Sequence, residues 1–400
     1  MRRLIYFEGR KHFLTKPMLV LVSIFLLVNA IKIYAVYKEQ SPLEALSDPC
    51  FKEVYDNLYS RYKGELTEEK VDGIMDIYTP LREKVDAGTY STEREEGCMT
   101  YNTRSDCLLL DWCFLSNIAY ETEYKSYADA IVKNAVSNIE FYNKHNNGYE
   151  ARKNYKIAKA FQNRTLSNFY NTDGFRSLMY YDFSTLIVLL LCLFGCSSVF
   201  TKEKETEMDL LLATSVKGKG ATLLAKLIVT ILFLLSICVL FSAEDYLLFY
   251  WNFKNMDAYL EPLYMLEAFK DTMLHANLIT AYLITVASKM LGVCAIGMLF
   301  LMVSLYGKNA LTVIVGNLGV LIGLILAYGK FSEVSEWANP LALLYGRKLF
   351  MYPEFINCFG MPIMDFVFAY IFAVVLIVVL ILVLKRKWQK GHIHGLYSNP

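Results

Sequence analysis

Apolar residues arrive along this chain in six long runs, separated by polar stretches of very unequal length. The first run, residues 17–37, is long enough at about 1.5 Å per residue to cross a hydrocarbon core about 30 Å thick. A secretory leader starts in the same way, with basic residues and then an apolar run. Here the run has spanning length and no Ala-x-Ala cleavage signal follows it, which predicts an uncleaved first span. Runs at 183–200, 223–241, 310–327 and 366–384 predict four more spans. The run at 277–305 predicts the sixth, beginning near Val286. Backbone groups in lipid must be satisfied within the segment, so the expected fold class is all-α, a polytopic membrane protein with six transmembrane helices.

The polar stretches set the rest of the plan. Residues 1–16 form a basic arm. Residues 38–182 are polar, rich in tyrosine and helical in pattern, for example at 51–62, 67–78 and 127–142, and predict a helical extracellular domain. Residues 183–384 hold the other five spans, with outer loops at 242–276 and 328–365, and 385–400 form a tail. The stretch 200–226 differs from the others. Glu203, Glu205, Glu207 and Asp209 suit the positive end of a helix. Met208, Leu211, Leu212 and Ser215 fall at i, i+3, i+4 and i+7 and give one apolar face. Lys217 and Lys219 then alternate with Gly218 and Gly220, a stop and turn. The plain reading is a loop that returns the chain to the membrane. The sharper one is an amphipathic helix at 202–219 that docks a soluble partner.

Composition agrees with the pattern: 400 residues, 55% hydrophobic, mean hydropathy +0.31. The net charge of +1 identifies no partner, but its placement does fix a topology. Basic residues gather in the arm (Arg2, Arg3, Arg10, Lys11, Lys16), the 201–226 loop, Lys308 in its short turn, and the tail (Lys385, Arg386, Lys387, Lys390). With six spans these segments share one side, so both termini are expected in the cytoplasm of a cell-membrane protein. No basic cluster with interleaved aromatics points to nucleic acid. Cys50, Cys98, Cys107 and Cys113 all fall in the large domain, which permits disulfides, free thiols or zinc; no histidine lies in that cluster.

Catalytic motifs are missing. Nothing reads G-x-x-x-x-G-K-[ST], H-E-x-x-H or G-x-S-x-G, and Gly218-Lys219-Gly220 is too short for a phosphate loop. Three ionisable groups near the membrane, Glu244, Asp245 and Lys289, are candidates for a transport path. They are equally readable as residues that mark or snorkel to the membrane edge.

Glu203-Lys204-Glu205, Leu210-Leu211-Leu212-Ala213-Thr214, Lys217-Gly218-Lys219 and Lys226 resemble the signature between the second and third spans of ABC-2-type exporter permeases. The arm Tyr6-Phe7-Glu8-Gly9-Arg10-Lys11 is similar to that family's amphipathic N-terminal helix, and Ser304-Leu305-Tyr306-Gly307-Lys308-Asn309 to its short turn after the fourth span. The large domain between the first two spans resembles a subgroup common in Gram-positive bacteria. The resemblance implies a permease subunit in the membrane lipid, paired with a second permease subunit as a homodimer or heterodimer. Glu203, Glu205, Met208, Leu211, Leu212, Lys217 and Lys219 would contact separate cytoplasmic ABC ATPase subunits. ATP and magnesium would be bound by those partners, with no cofactor on this chain and no enzymatic activity of its own. It also implies that residues 337–361 dip into the membrane and return. The alternative is a membrane sensor whose extracellular domain binds a ligand and whose cytoplasmic loop docks a signalling partner.

The topology makes a direct prediction. An impermeant thiol reagent added outside cells should label cysteines introduced in residues 40–182 and leave those introduced in 202–219 unlabelled; the reverse pattern contradicts it.

Overall fold

The computed structural model describes residues 1–45, 49–208, 218–254 and 256–397. The chain begins with α1 (Arg2–His12) and the first long apolar helix, α2 (Lys16–Gln40), which carries Pro17 in its first turn. There the missing N–H costs nothing and the fixed φ suits the helix. A helical domain follows: α3 (Pro49–Tyr62), β1 (Gly64–Glu65), α4 (Glu68–Asp86), α5 (Thr103–Leu110), α6 (Ser116–Lys144), α7 (Gly148–Phe161), β2 (Asn168–Phe169) and α8 (Asp173–Tyr180). The membrane part comprises α9 (Phe183–Glu205), α10 (Gly218–Phe253), α11 (Leu278–Tyr306), α12 (Ala310–Ser335) and α13 (Asp365–Tyr397), with a hairpin of β3 (Phe355–Cys358) and β4 (Met361–Met364) before α13. β1 pairs antiparallel with β2, Gly64 opposite Phe169, and so ties the start of the domain to its end.

Among the described residues, six helices are long and apolar enough to cross a membrane. They are not equivalent. The apolar window of the span ending in α9 is 72% buried, against 17% for α2, α12 and α13. α9 is therefore the axis of the bundle, and what happens at its two ends reaches the other helices. Leu191, Cys192, Cys196 and Val199 of α9 pack with Ile296 and Phe300 of α11 in one apolar core. Close approach depends on a few glycines. A Cβ on Gly297 would lie 2.4 Å from Leu234 Cδ1, so α10 and α11 touch there without room for a side chain. On α12, a Cβ on Gly316 would meet Val303 at 2.8 Å, whereas Gly319 and Gly323 face open space.

Residues 337–364 do not cross. Leu341–Leu344, a single buried helical turn, packs against α11 so closely that a Cβ on Gly292 would come within 2.9 Å of the Pro340 carbonyl. Asn339 Oδ1 accepts from Leu341 N at the start of this turn, and its Nδ2 donates to Leu324 O. Its irregular backbone is thus held inside protein, as such backbone at membrane depth must be.

The four basic segments meet at one end. Lys202 Nζ donates to Lys11 O at 3.0 Å, Lys204 Nζ to Gly307 O at 2.9 Å, and the Trp388 ring lies 5.4 Å from that of Phe200. At the other end both expected loops fasten to the domain. Lys63 pairs with Asp257 at 2.8 Å, Tyr124 stacks on Tyr264 at 4.9 Å, and Lys156 Nζ donates to Pro362 O. One detail differs from the sequence expectation: α10 runs to Phe253, so Glu244 and Asp245 lie on a helix rather than in the loop at 242–276. Of the three readings open for the domain's cysteines, Cys98, Cys107 and Cys113 are present as free thiols. Cys113 is buried in the apolar core of the domain with Phe114 and Phe169, where a thiol packs as a small hydrophobe.

Candidate functional site

Lipid tails are as apolar as leucine, so apolar contact alone gives membrane helices little reason to choose neighbours; buried polar pairs weigh more. Two such clusters lie at opposite ends of α9.

The first lies at the end that holds the basic segments. Glu8 and His12, one turn apart on α1, face inward. Lys226 of α10 reaches between the helices, and its ammonium stands 2.9 Å from Glu8 Oε2, 2.9 Å from Glu203 Oε1 and 2.9 Å from the Val199 carbonyl. Lys11 Nζ adds a second bond to Glu203 Oε1 at 2.9 Å. Two ammonium groups thus face two carboxylates. The side chains of Lys226, Glu203 and Glu8 are 0%, 1% and 4% exposed, so each charge depends on the others. His12 Nε2 lies 3.3 Å from Glu8, and Ser198 Oγ lies 3.5 Å from Nδ1. The Lys226 ammonium also lies 3.4 Å from His12 Nε2. Burial holds the His12 pKa below its ordinary 6.5, with the neighbouring Lys226 charge acting in the same direction against Glu8. Burial alone would push Glu8 up, but the His12 hydrogen bond and the Lys226 ammonium outweigh it and bring Glu8 down to about 2. Donor atoms of Glu8, His12 and Glu203 lie within 4.8 Å of one another, a spacing open to a metal ion. The Lys226 ammonium already supplies the positive charge at their centre.

The residues expected to dock a partner divide accordingly. Glu203 is committed to the ion cluster. Glu205 Oε1 accepts from Ala310 N at 2.8 Å and satisfies an otherwise orphaned amide at the start of α12. Lys204 caps the carbonyl end of α11 through Gly307 O. These side chains tie neighbouring elements into a platform, with Glu203 buried, Lys204 half-buried and Glu205 exposed. Met208, at its edge, is exposed. Leu211, Leu212 and Lys217 lie outside the described residues, and Lys219 falls in the first turn of α10. Sequence reasoning did not connect Glu8, Lys11, His12 and Lys226, although a Glu/His pair at i, i+4 and a lysine inside an apolar run were both visible.

The second cluster lies where α9 meets the domain. Asn29 Nδ2 of α2 donates to both Glu244 Oε2 at 2.8 Å and Asp245 Oδ1 at 2.9 Å. Tyr181 OH donates to Asn29 Oδ1 at 2.8 Å, and Ser184 Oγ to Asp245 Oδ2 at 2.5 Å. Lys289 of α11, with Ser184, Thr185, Cys238 and Ser242, lines an adjoining cavity of about 10 Å³, room for about one water. Thr185 Oγ1 is buried there with no hydrogen-bond partner. The three ionisable residues singled out in the sequence are thus brought to one neighbourhood. Asn29, Tyr181 and Ser184, which hold them, were not foreseen.

No family model, curated protein or solved structure matches this chain.

Two outcomes follow from the first cluster. Lys226→Met leaves two buried carboxylates short of a counter-charge and should cost about 3–5 kcal/mol. It is measured as a lower unfolding midpoint in detergent, with much of the loss recovered when Glu8→Gln and Glu203→Gln are added. The second outcome concerns pH. His12 binds its proton more weakly folded than unfolded, so its contribution is present above about pH 6.5 and is lost as pH falls below that. Buried Glu121 in the domain, pushed up to about 9 by burial and nearby Glu261, acts in the opposite direction, stabilising at low pH. The expected signature is therefore a difference: between pH 7.5 and 5.5 the wild type should lose more stability than His12→Gln. Parallel pH profiles would exclude the assignment.

Proposed function

We propose that this chain is the permease subunit of an ATP-driven exporter of the ABC-2 type, embedded in the cell membrane with both termini cytoplasmic. The observation that carries this reading is the platform at one end of α9. The start of α10, the end of α9, the 306–309 turn and the N-terminal helix are fastened together by Glu203, Lys204, Glu205 and Lys226, at the two chain ends that residues 209–217 connect in sequence. A push delivered to this platform reaches four helices at once. The chain carries no phosphate-binding loop, so the push would come from a partner ATPase that holds ATP and magnesium. The other end of α9 carries the Asn29–Glu244–Asp245 cluster with Lys289 nearby, a polar site at membrane depth of the kind that marks a path. A second permease subunit would complete that path from the exposed faces of α2, α12 or α13.

Reconstitution with a P-loop ATPase encoded beside it tests the reading. Met208→Asp with Leu211→Asp should lower vesicle-stimulated ATP hydrolysis by about tenfold or more while leaving folding intact, since an acid on an apolar docking face is desolvated unpaired. Stimulation unchanged in the double variant, or no association with any such ATPase, contradicts it and favours a sensor.

A further inference from the structure

A cavity of about 690 Å³ opens between the domain and the membrane helices. That is within the size range of small-molecule sites. Gln40, the last residue of α2, and Tyr180, just before α9, border it, so it lies where two membrane spans end on the domain side. One charge of each sign lines it, on separate elements: Arg176 on α8, and Glu267 in the segment between α10 and α11. Arg176 pairs with Asp173 through Nη2 only, and its side chain remains 56% exposed. The rest of the guanidinium fork is therefore available to a planar or tetrahedral anion. Trp112 and Tyr180, both substantially exposed aromatics, supply apolar and π surface on the same wall set. Below the cavity, α2 leaves most of its apolar surface uncovered.

We propose that this cavity binds the headgroup of a zwitterionic phospholipid from the leaflet on the domain side. The phosphate would sit on Arg176, the ammonium on Glu267 with the aromatic faces beside it, and the acyl chains would run down against the spans. The argument is one of complementarity. A purely anionic head would meet Arg176 but also Glu267 and the Asp173 that already shares the guanidinium. A purely cationic head would leave the Arg176 fork unused. A free headgroup lacks the acyl chains that would anchor it beside the uncovered apolar surface of α2. The site is independent of the ATPase reading, because a sensor could use it equally.

The test uses the full chain in a maltoside detergent, with tryptophan fluorescence as readout. The probe is dihexanoyl phosphatidylethanolamine, compared with dihexanoyl phosphatidylglycerol and with water-soluble phosphoethanolamine. The expected result is a saturable change that disappears in Trp112→Phe, with phosphatidylethanolamine binding about tenfold more tightly than either comparison ligand. Arg176→Gln should weaken both lipids about tenfold, and Glu267→Gln should abolish the preference between them, each without changing the unfolding midpoint. Native mass spectrometry of the same variants gives bound-lipid counts that do not depend on fluorescence. Equal binding of phosphatidylglycerol overturns the zwitterion assignment. Equal binding of phosphoethanolamine overturns the lipid assignment. No saturable Trp112-dependent signal together with no retained lipid overturns the site altogether.

Discussion

The buried ammonium of Lys226 is the interaction on which the membrane part of this protein depends. Two segments far apart in sequence bring their polar groups to it: Glu8 from the N-terminal helix, and Glu203 with the Val199 carbonyl from the axial helix. Removing any one leaves a charge in a place water does not reach. That mutual dependence turns an N-terminal arm, which could have lain on the membrane surface unattached, into part of the bundle. It also explains the conformation of α9 at this end. Glu203 is buried in the last turn of the helix, and Lys204 and Glu205 beside it cap the neighbouring helices.

The opposite end of α9 is built on a different principle. There the acids Glu244 and Asp245 are held by an amide and hydroxyls rather than by a direct counter-ion, and the neighbouring cavity leaves Thr185 unpartnered. One end is therefore fixed by balanced charge and the other by polar hydrogen bonds. The domain sits over the second end and grips both connecting segments, through Tyr264 in one and Gly360 and Pro362 in the other. The axial helix thus links a charge-locked platform to a polar site beneath a folded domain.

Much of this was legible in the sequence, for definable reasons. Six apolar runs gave six helices because lipid permits so few alternatives. The basic segments gathered at one end, as the count of charges implied. The half-apolar stretch at 337–361 was recognised as non-spanning, and its burial under α11 rests on Gly292, a residue that periodicity does not distinguish from any other small one. Helix ends were less visible. Glu244 and Asp245 read as loop residues because acids seemed to close the apolar run, yet α10 continues through them since their partners wait on α2 and α9. Spacing identifies a charged helix end, but only long-range packing shows that Glu203 is buried in an ion cluster and that Glu205, still exposed, accepts from the Ala310 amide. A pairing such as Lys226 with Glu8, 218 positions apart, leaves no periodic trace.

The central claim is that the N-terminal helix and the end of α9 form one body through Lys226. Hydrogen–deuterium exchange of residues 2–12 tests it most directly, comparing wild type with Lys226→Met in the same membrane mimetic. The expected result is a large loss of protection in α1 and in residues 201–208, with the domain helices α6 and α7 unchanged. Equal protection of α1 in both proteins would show that the ammonium does not hold the platform together.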